Sequence, residues 1–428
     1  MKTKKHLFGL NILLFILIIA LNNHMQVNAQ QTKKIDQSPP DITAESAILI
    51  DATTGQILYS KNENSQQYPA SITKLMTALL AIEALDPKDT ITFSKNAVFS
   101  IEYGSSHIGM QEDEVITVDQ AMHGLLLMSA NEIANGLAEK TSGSIEEFSK
   151  DMNKRLEEIG ALNTHFVNPH GLHNEDHYTT AYDMALITRE TIKNEYFLNI
   201  MKDITYQIPL TNKSTEIRYL AQQHKMMNEK RDASIYREDV IAGKTGFTNE
   251  AQHTLVTVAQ QDDRTLIVVL LKSEAKDIYT NTSKLLDYGF ENYKTVNLTS
   301  KDYKETFIII KDNLQIGEAI VTLKKPLKVY IENFQDESSI EFKSETTPLS
   351  YDIEKGDKVG TVSIYKDGEF IAQVDAVVHD VNISIPLKAV KSIVTISIPI
   401  LIIVFLITLF FFYSLRPKKH YSKYKNKR

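Results

Sequence analysis

The chain's 428 residues exceed what one hydrophobic core usually organises, so two domains plus targeting segments are expected. It contains no cysteine, which excludes a disulfide framework, a thiol nucleophile and thiolate metal sites. The formal net charge is −7, but the two ends hold ten of the 47 basic residues and none of the 54 acidic ones. The remaining 37 basic and 54 acidic residues give a net of −17, which argues against broad electrostatic binding of nucleic acid or anionic lipid.

Lys2, Lys4 and Lys5 precede an apolar run from Leu7 to Leu21, and Val27-Asn28-Ala29 offers small residues for cleavage before Gln30, so residues 1–29 read as a signal peptide. An extended leader follows to about residue 42. The stretches 47–50 and 56–59 flank Asp51-Ala52-Thr53-Thr54-Gly55 and predict a β-hairpin. From Ser71 a helix is expected, with Ile72, Leu75, Met76, Leu79, Leu80 and Ile82 apolar around much of its surface, hence buried. Residues 118–139 and 144–159 read as two more helices, the second ending at Gly160. Two strands of a meander are expected at 255–259 and 265–271, and a helix at 283–293.

Beyond residue 293 the pattern changes. Short apolar runs such as 306–310 and 329–331, with turn signals at Glu354-Lys355-Gly356-Asp357 and Lys366-Asp367-Gly368, predict an all-β module over 296–387. Residues 393–415 carry no charge and are long enough to cross a bilayer core of about 30 Å. Pro399 within that span is tolerable in a membrane helix. The tail 416–428 has seven basic residues and no acid, which by the positive-inside rule puts it in the cytoplasm and the preceding chain outside the cell membrane, with a single pass.

Three short motifs carry chemistry. Ser71 and Lys74 are three apart, so at a helix start they share a face, and the lysine can take the serine's proton if its surroundings keep it neutral. A helix N-terminus also offers a free N–H to an oxyanion. That spacing alone is weak, because Ser273/Lys276, Ser363/Lys366 and Ser422/Lys425 repeat it. Ser129-Ala130-Asn131 follows the apolar Leu125–Met128, which would deliver two polar groups into a cleft, although a capped helix end has the same look. Lys244-Thr245-Gly246 occurs once, ahead of the two predicted strands, where a strand edge can hold an extended peptide. Their order is that of active-site serine enzymes acting on penicillins and D-Ala-D-Ala peptides.

With these motifs, and with Tyr68-Pro69-Ala70-Ser71-Ile72-Thr73-Lys74-Leu75-Met76-Thr77 and His165-Phe166-Val167-Asn168-Pro169-His170-Gly171-Leu172, the chain resembles the low-molecular-mass penicillin-binding proteins that act as D-alanyl-D-alanine carboxypeptidases. The resemblance implies an α/β sandwich of the serine β-lactamase/penicillin-binding transpeptidase type over 42–293, with an antiparallel sheet and helices, followed by the small β-rich domain. It implies Ser71 as the nucleophile, Lys74 as its base and Ser129 as a proton relay with Lys244. Asn131 would hold the substrate amide. Thr245 and Thr248 would lie near the terminal carboxylate, Gly246 would let the peptide approach, and the N–H groups of Ser71 and Phe247 would form the oxyanion hole. The implied partners are peptidoglycan stem peptides ending in D-Ala-D-Ala, β-lactams as acylating inhibitors, and the membrane through the C-terminal helix.

Some positions depart from that pattern. Ala130 stands where glycine is usual, and Glu250-Ala251-Gln252-His253 replaces a stretch that relatives often fill with Gly-aromatic. The arginine that relatives use for the carboxylate has no counterpart, and Lys272 is the nearest candidate by position. His165, His170, His173 and His177 raise the question of zinc, but the resemblance accounts for all except His173, so no metal or cofactor is expected. A β-lactamase needs a placed glutamate, for which Glu175 is the available residue. Transpeptidase and endopeptidase activities of the same family, and a non-catalytic wall-binding scaffold, are the remaining alternatives.

Overall fold

The computed structural model describes residues 38–311, 314–347, 349–350, 352–383 and 387–414. The signal-peptide segment, Leu415 and the basic tail lie outside the described residues. The chain divides into two compact units between Lys294 and Thr295.

In chain order the first unit runs β1 (Ser46–Asp51), β2 (Ile57–Lys61), a 3-10 turn (Ala70–Thr73), α1 (Lys74–Ala84), β3 (Thr90–Thr92), α2 (Lys95–Phe99) and β4 (Val115–Thr117). It continues through α3 (Val118–Leu127), α4 (Asn131–Ser142), α5 (Ile145–Ile159), α6 (Ala181–Thr191), α7 (Glu195–Lys202), β5 (Thr205–Ile208) and β6 (Arg218–Ala221). It ends with β7 (Val240–Thr248), β8 (Gln252–Gln261), β9 (Arg264–Ser273) and α8 (Ile278–Asn292). The main sheet has the order β2-β1-β9-β8-β7 and is antiparallel throughout. Every residue of β1 and Leu266–Leu271 of β9 are buried, so both faces of the sheet centre are covered, and α6 and α8 pack on it. This is the expected α/β sandwich, with β7 at its edge. The predicted hairpin is present, and Asp51 Oδ1 closes its turn by accepting from Thr54 N–H at 2.7 Å.

The single helix expected over 118–139 is instead two. Thr117 opens α3 with a capping box to Gln120, and the helix stops at Met128 because Ser129 takes φ +61°. No glycine or proline marks the break. It is made by tertiary bonds, since Asn131 N–H donates to the Ser106 carbonyl at 2.8 Å and Ser129 Oγ accepts from Lys244 Nζ at 2.9 Å. The helix expected at 283–293 starts earlier, at Ile278. The helix at 145–159 has Ser144 accepting from Glu147 N–H and Gly160 at φ +87°, as its end signals imply.

The second unit is β-rich. Strands β10 (Tyr293–Leu298), β11 (Lys304–Lys311), β12 (Leu314–Leu323), β13 (Leu327–Glu332), β14 (Ile340–Thr346), β15 (Lys358–Lys366) and β16 (Glu369–Ile383) form a five-stranded antiparallel sheet, β11-β12-β16-β15-β14, and a β10-β13 pair. Val321, Val329, Ile331, Val362 and Val378 lie in its core. Asp367 and Gly368, both at positive φ, turn β15 into β16. α9 (Leu387–Ser414) follows, and its segment Thr395–Ser414 has a mean hydropathy of 2.8, long and apolar enough to cross a membrane.

One packing contact in the helical part yields a prediction. A Cβ on Gly136 of α4 would lie 2.4 Å from Cε1 of the fully buried Phe93 ring. Gly136→Ala gains about 1 kcal/mol of helix propensity but overpacks by about 1–3 kcal/mol. The expected outcome is a lower urea midpoint for the variant, and an unchanged or raised midpoint would contradict this packing.

Candidate active site

Ser71 sits in the 3-10 turn that leads into α1, and the backbone around it is held from three sides. Thr254 Oγ1 donates to the Pro69 carbonyl at 2.8 Å. Thr73 Oγ1 donates to the Ala70 carbonyl at 2.9 Å and lies 2.9 Å from His177 Nε2. Val167 N–H donates to His177 Nδ1 at 3.1 Å, so the imidazole is neutral with its proton on Nε2, donating to Thr73. Burial agrees, pulling the His177 pKa down to about 3. Gly171, at φ +85°, leaves room for the turn, because a Cβ there would stand 1.9 Å from the Ala70 carbonyl oxygen.

Lys74, wholly buried, directs Nζ to Ser71 Oγ at 2.9 Å, to Asn131 Oδ1 at 2.7 Å and to the His170 carbonyl at 2.7 Å. Desolvation and the charge of Lys244 push its pKa well below the usual lysine range, and Glu132 opposes them. The geometry suits a neutral amine. Asn131 Oδ1 and the His170 carbonyl can only accept, so they take two N–H groups, and the lone pair is left facing the Ser71 hydroxyl.

Lys244 comes from β7 and is also buried; its Nζ donates to Ser129 Oγ and to the Thr245 carbonyl, each at 2.9 Å. Burial lowers its pKa to about 7. The left-handed backbone at Ser129 is what turns that hydroxyl toward Lys244, while Asn131 begins the next helix facing Lys74. A Cβ on Gly246 would meet Thr254 Oγ1 at 2.4 Å and Ser71 N at 2.9 Å, so glycine is required for β7 to pass this close to the serine.

These groups border a cleft of about 710 Å³. Ser71, Ser129, Asn131, Thr245, Gly246, Phe247 and Thr248 line it, with Lys74 and Lys244 reaching it from behind. Gly104–His107 form another part of its wall, and Lys225, Arg231 and Tyr279 line it as well. Phe247 is more than half exposed, its ring 4.7 Å from that of His253. Gln252 takes φ +53° and β8 is irregular between His253 and Leu255, so the Ala251-Gln252-His253 stretch does have an unusual strand start.

The structure corrects the sequence reading at Lys272. Its Nζ lies 2.7 Å from Glu45 Oε2 and it does not line the cleft; the cations that do are Arg231 and Lys225. Glu175 is exposed and is not among the residues lining the cleft. His165 Nδ1 donates to the Asp176 carbonyl at 2.7 Å, His173 packs edge-on against Tyr68, and no group of three or more His, Asp or Glu among the described residues is placed to hold a metal. Sequence reasoning missed Glu132, the His170 carbonyl, the Gly104–His107 wall and Arg231. Of these, Glu132 had a signal, an acid inside an apolar helix directly after Asn131.

The comparisons with known proteins agree with this geometry. Residues 32–275 match the peptidase S11 family, described as D-alanyl-D-alanine carboxypeptidase, and residues 293–383 match the penicillin-binding protein 5 C-terminal domain. The chain is 33% identical over 341 residues to D-alanyl-D-alanine carboxypeptidase DacF of Bacillus subtilis, covering 77% of this chain and 83% of that protein. The crystal structure of penicillin binding protein 5 from Haemophilus influenzae superposes with a TM-score of 0.67 at 26% identity, over 81% of this chain and 99% of that one. The Streptomyces K15 DD-transpeptidase gives a TM-score of 0.55 at 25% identity, over 59% of this chain and 99% of that one. With a serine, two buried lysines and an open strand edge around one cleft, and with matches that span both units, the chain belongs to the D-alanyl-D-alanine carboxypeptidase family of low-molecular-mass penicillin-binding proteins and is a serine-type enzyme of that family.

Proposed function

We propose that Ser71 is the nucleophile that removes the terminal D-alanine from peptidoglycan stem pentapeptides, and that the same serine is acylated by β-lactams. The observation that carries this reading is the Lys74 Nζ at 2.9 Å from Ser71 Oγ with two fixed acceptors on its other side. Lys74 takes the hydroxyl proton as Oγ bonds to the carbonyl carbon between the two D-alanines. The N–H groups of Ser71 and Phe247 stabilise the oxyanion, each such donor being worth about 10²–10³ in rate. The C–N bond then breaks, and the departing amine takes a proton through Ser129, which Lys244 supports. Water attacks the acyl-enzyme and releases the shortened peptide.

On this reading the edge strand β7 pairs with the extended substrate, Asn131 holds its amide, and Thr245, Thr248 and the cleft-lining Arg231 meet its terminal carboxylate. Residues 42–293 form the catalytic domain and 296–387 the β-rich domain. Residues 393–415 span the cell membrane once, with the catalytic domain extracellular and the basic tail 416–428 in the cytoplasm. The apolar length of Thr395–Ser414 and the charges of the tail support this topology.

Ser71→Ala should abolish both D-alanine release from a Lys-D-Ala-D-Ala peptide and covalent labelling by a fluorescent penicillin. Mass spectrometry of muropeptides should show loss of one D-alanine; cross-linked dimers as the main product would favour transpeptidation instead. The pH dependence follows from the two lysines. The neutral form of Lys74 grows as pH rises through its lowered pKa, so penicillin acylation should climb on an acid limb well below the ordinary lysine range. Lys74→Arg, which stays protonated, should lose about 10³-fold or more in acylation rate. Lys244 loses its charge near pH 7, so acylation should decline above that, and Lys244→Arg should move the decline to higher pH. A rate that rises unbroken to pH 10 in the wild type would exclude a role for charged Lys244.

A further inference from the structure

The cleft wall at Gly104–His107 has little core of its own. In the segment from Phe99 to Met110, Phe99 is two-thirds exposed and Tyr103 is fully exposed, and Met110 is its buried apolar side chain. Its position therefore depends on hydrogen bonds: Arg218 of β6 donates to the Gly109 carbonyl at 2.9 Å, and the others described here come from one helix. At the start of the segment, Asn135 Nδ2 donates to the Ala97 carbonyl at 3.2 Å and to Ser100 Oγ at 3.1 Å. In the middle, Asn131 N–H donates to the Ser106 carbonyl at 2.8 Å. At the end, Glu132 Oε1 accepts from Ile108 N–H at 2.7 Å and, more distantly, from Met110 N–H at 3.5 Å. All three residues belong to the first five positions of α4.

Glu132 is the least expected of them. It is 1% exposed, and its Oε2 makes no hydrogen bond within the protein. A buried acid needs polar partners, and Glu132 also acts on Lys74, whose ammonium form it favours. The carboxylate thus lies between the cleft wall and the lysine cluster, while its neighbour Asn131 bonds to the wall through its backbone and to Lys74 through its side chain.

We propose that Glu132 is a positioning residue that holds the Phe99–Met110 loop as the outer wall of the cleft, in register with Asn131 and Lys74. The proposal rests on the reading of this cleft as the D-Ala-D-Ala site. Glu132→Gln keeps the Oε1 acceptor, whereas Glu132→Ala deletes it. In the full-length protein, Glu132→Ala should raise KM for D-alanine release about tenfold, the scale of one charge-assisted hydrogen bond. Glu132→Gln should keep KM within about twofold of wild type. Amide hydrogen exchange of the peptide covering Ile108 and Met110 should accelerate in the alanine variant and stay protected in the glutamine one, a readout that holds whatever the substrate is. Asn135→Ala, which releases the other end of the loop, should raise KM and loop exchange in the same direction, and serves if Glu132→Ala does not fold. Unchanged loop exchange in both alanine variants, or a glutamine variant as impaired in KM as the alanine one, would overturn the proposal. Altered exchange without any D-alanine release by the wild type would instead overturn the substrate reading and leave the clamp standing.

Discussion

The Nζ of Lys74 is removed from water, and a lysine so placed must find every partner inside the protein or lose its proton. The surroundings permit both states. Three acceptors within 2.9 Å satisfy an ammonium, and two of them satisfy a neutral amine whose lone pair faces Ser71. Burial and the second buried cation at Lys244 press toward the neutral form, while Glu132 presses back. A group balanced in this way exchanges a proton with a hydroxyl at low energetic cost, which is what a serine nucleophile requires.

Holding that balance demands a backbone that would not form locally. Ala70 and Ser129 both take the left-handed region, at φ +50° and φ +61°, and each conformation costs roughly 1–2 kcal/mol for a residue with a Cβ. The compensation is tertiary. The Ala70 and Pro69 carbonyls are held by Thr73 and Thr254, and Ser129 is held by Lys244. Gly171 and Gly246 then allow a loop and a strand to approach the serine more closely than any side chain would permit. The site is therefore a meeting of four segments distant in sequence, three of them with a left-handed residue where they meet.

This explains which features could be read from the chain alone. The hairpin β1-β2, the strands β8 and β9, the helix α5 with its serine cap and glycine stop, and the turns of the β-rich unit all follow from local periodicity and end signals. The α3-α4 break did not, because nothing in Met128-Ser129-Ala130 is a helix breaker and the bend depends on partners more than 20 residues away on either side. Likewise the motif serines and lysines announced themselves by type and order, but the carbonyl of His170 and the wall at Gly104–His107 are backbone contributions with no residue signature. Lys272 misled for the complementary reason. Proximity along β9 suggested the cleft, whereas its charge is satisfied by Glu45.

The free edge of β7 connects fold to activity. An unpaired strand edge ordinarily invites aggregation, and proteins protect it with charge, proline or cover. Here the edge carries Lys244 and Thr245 and runs past the Ser71 turn, so one side of it is open only as a cleft bounded by the Gly104–His107 wall. On the proposed reading, an extended peptide pairs with β7 beside Ser71 through main-chain hydrogen bonds, which are independent of its side chains. On that reading, selectivity comes from the end of the peptide, where Thr245, Thr248 and Arg231 line the cleft with two hydroxyls and a positive charge.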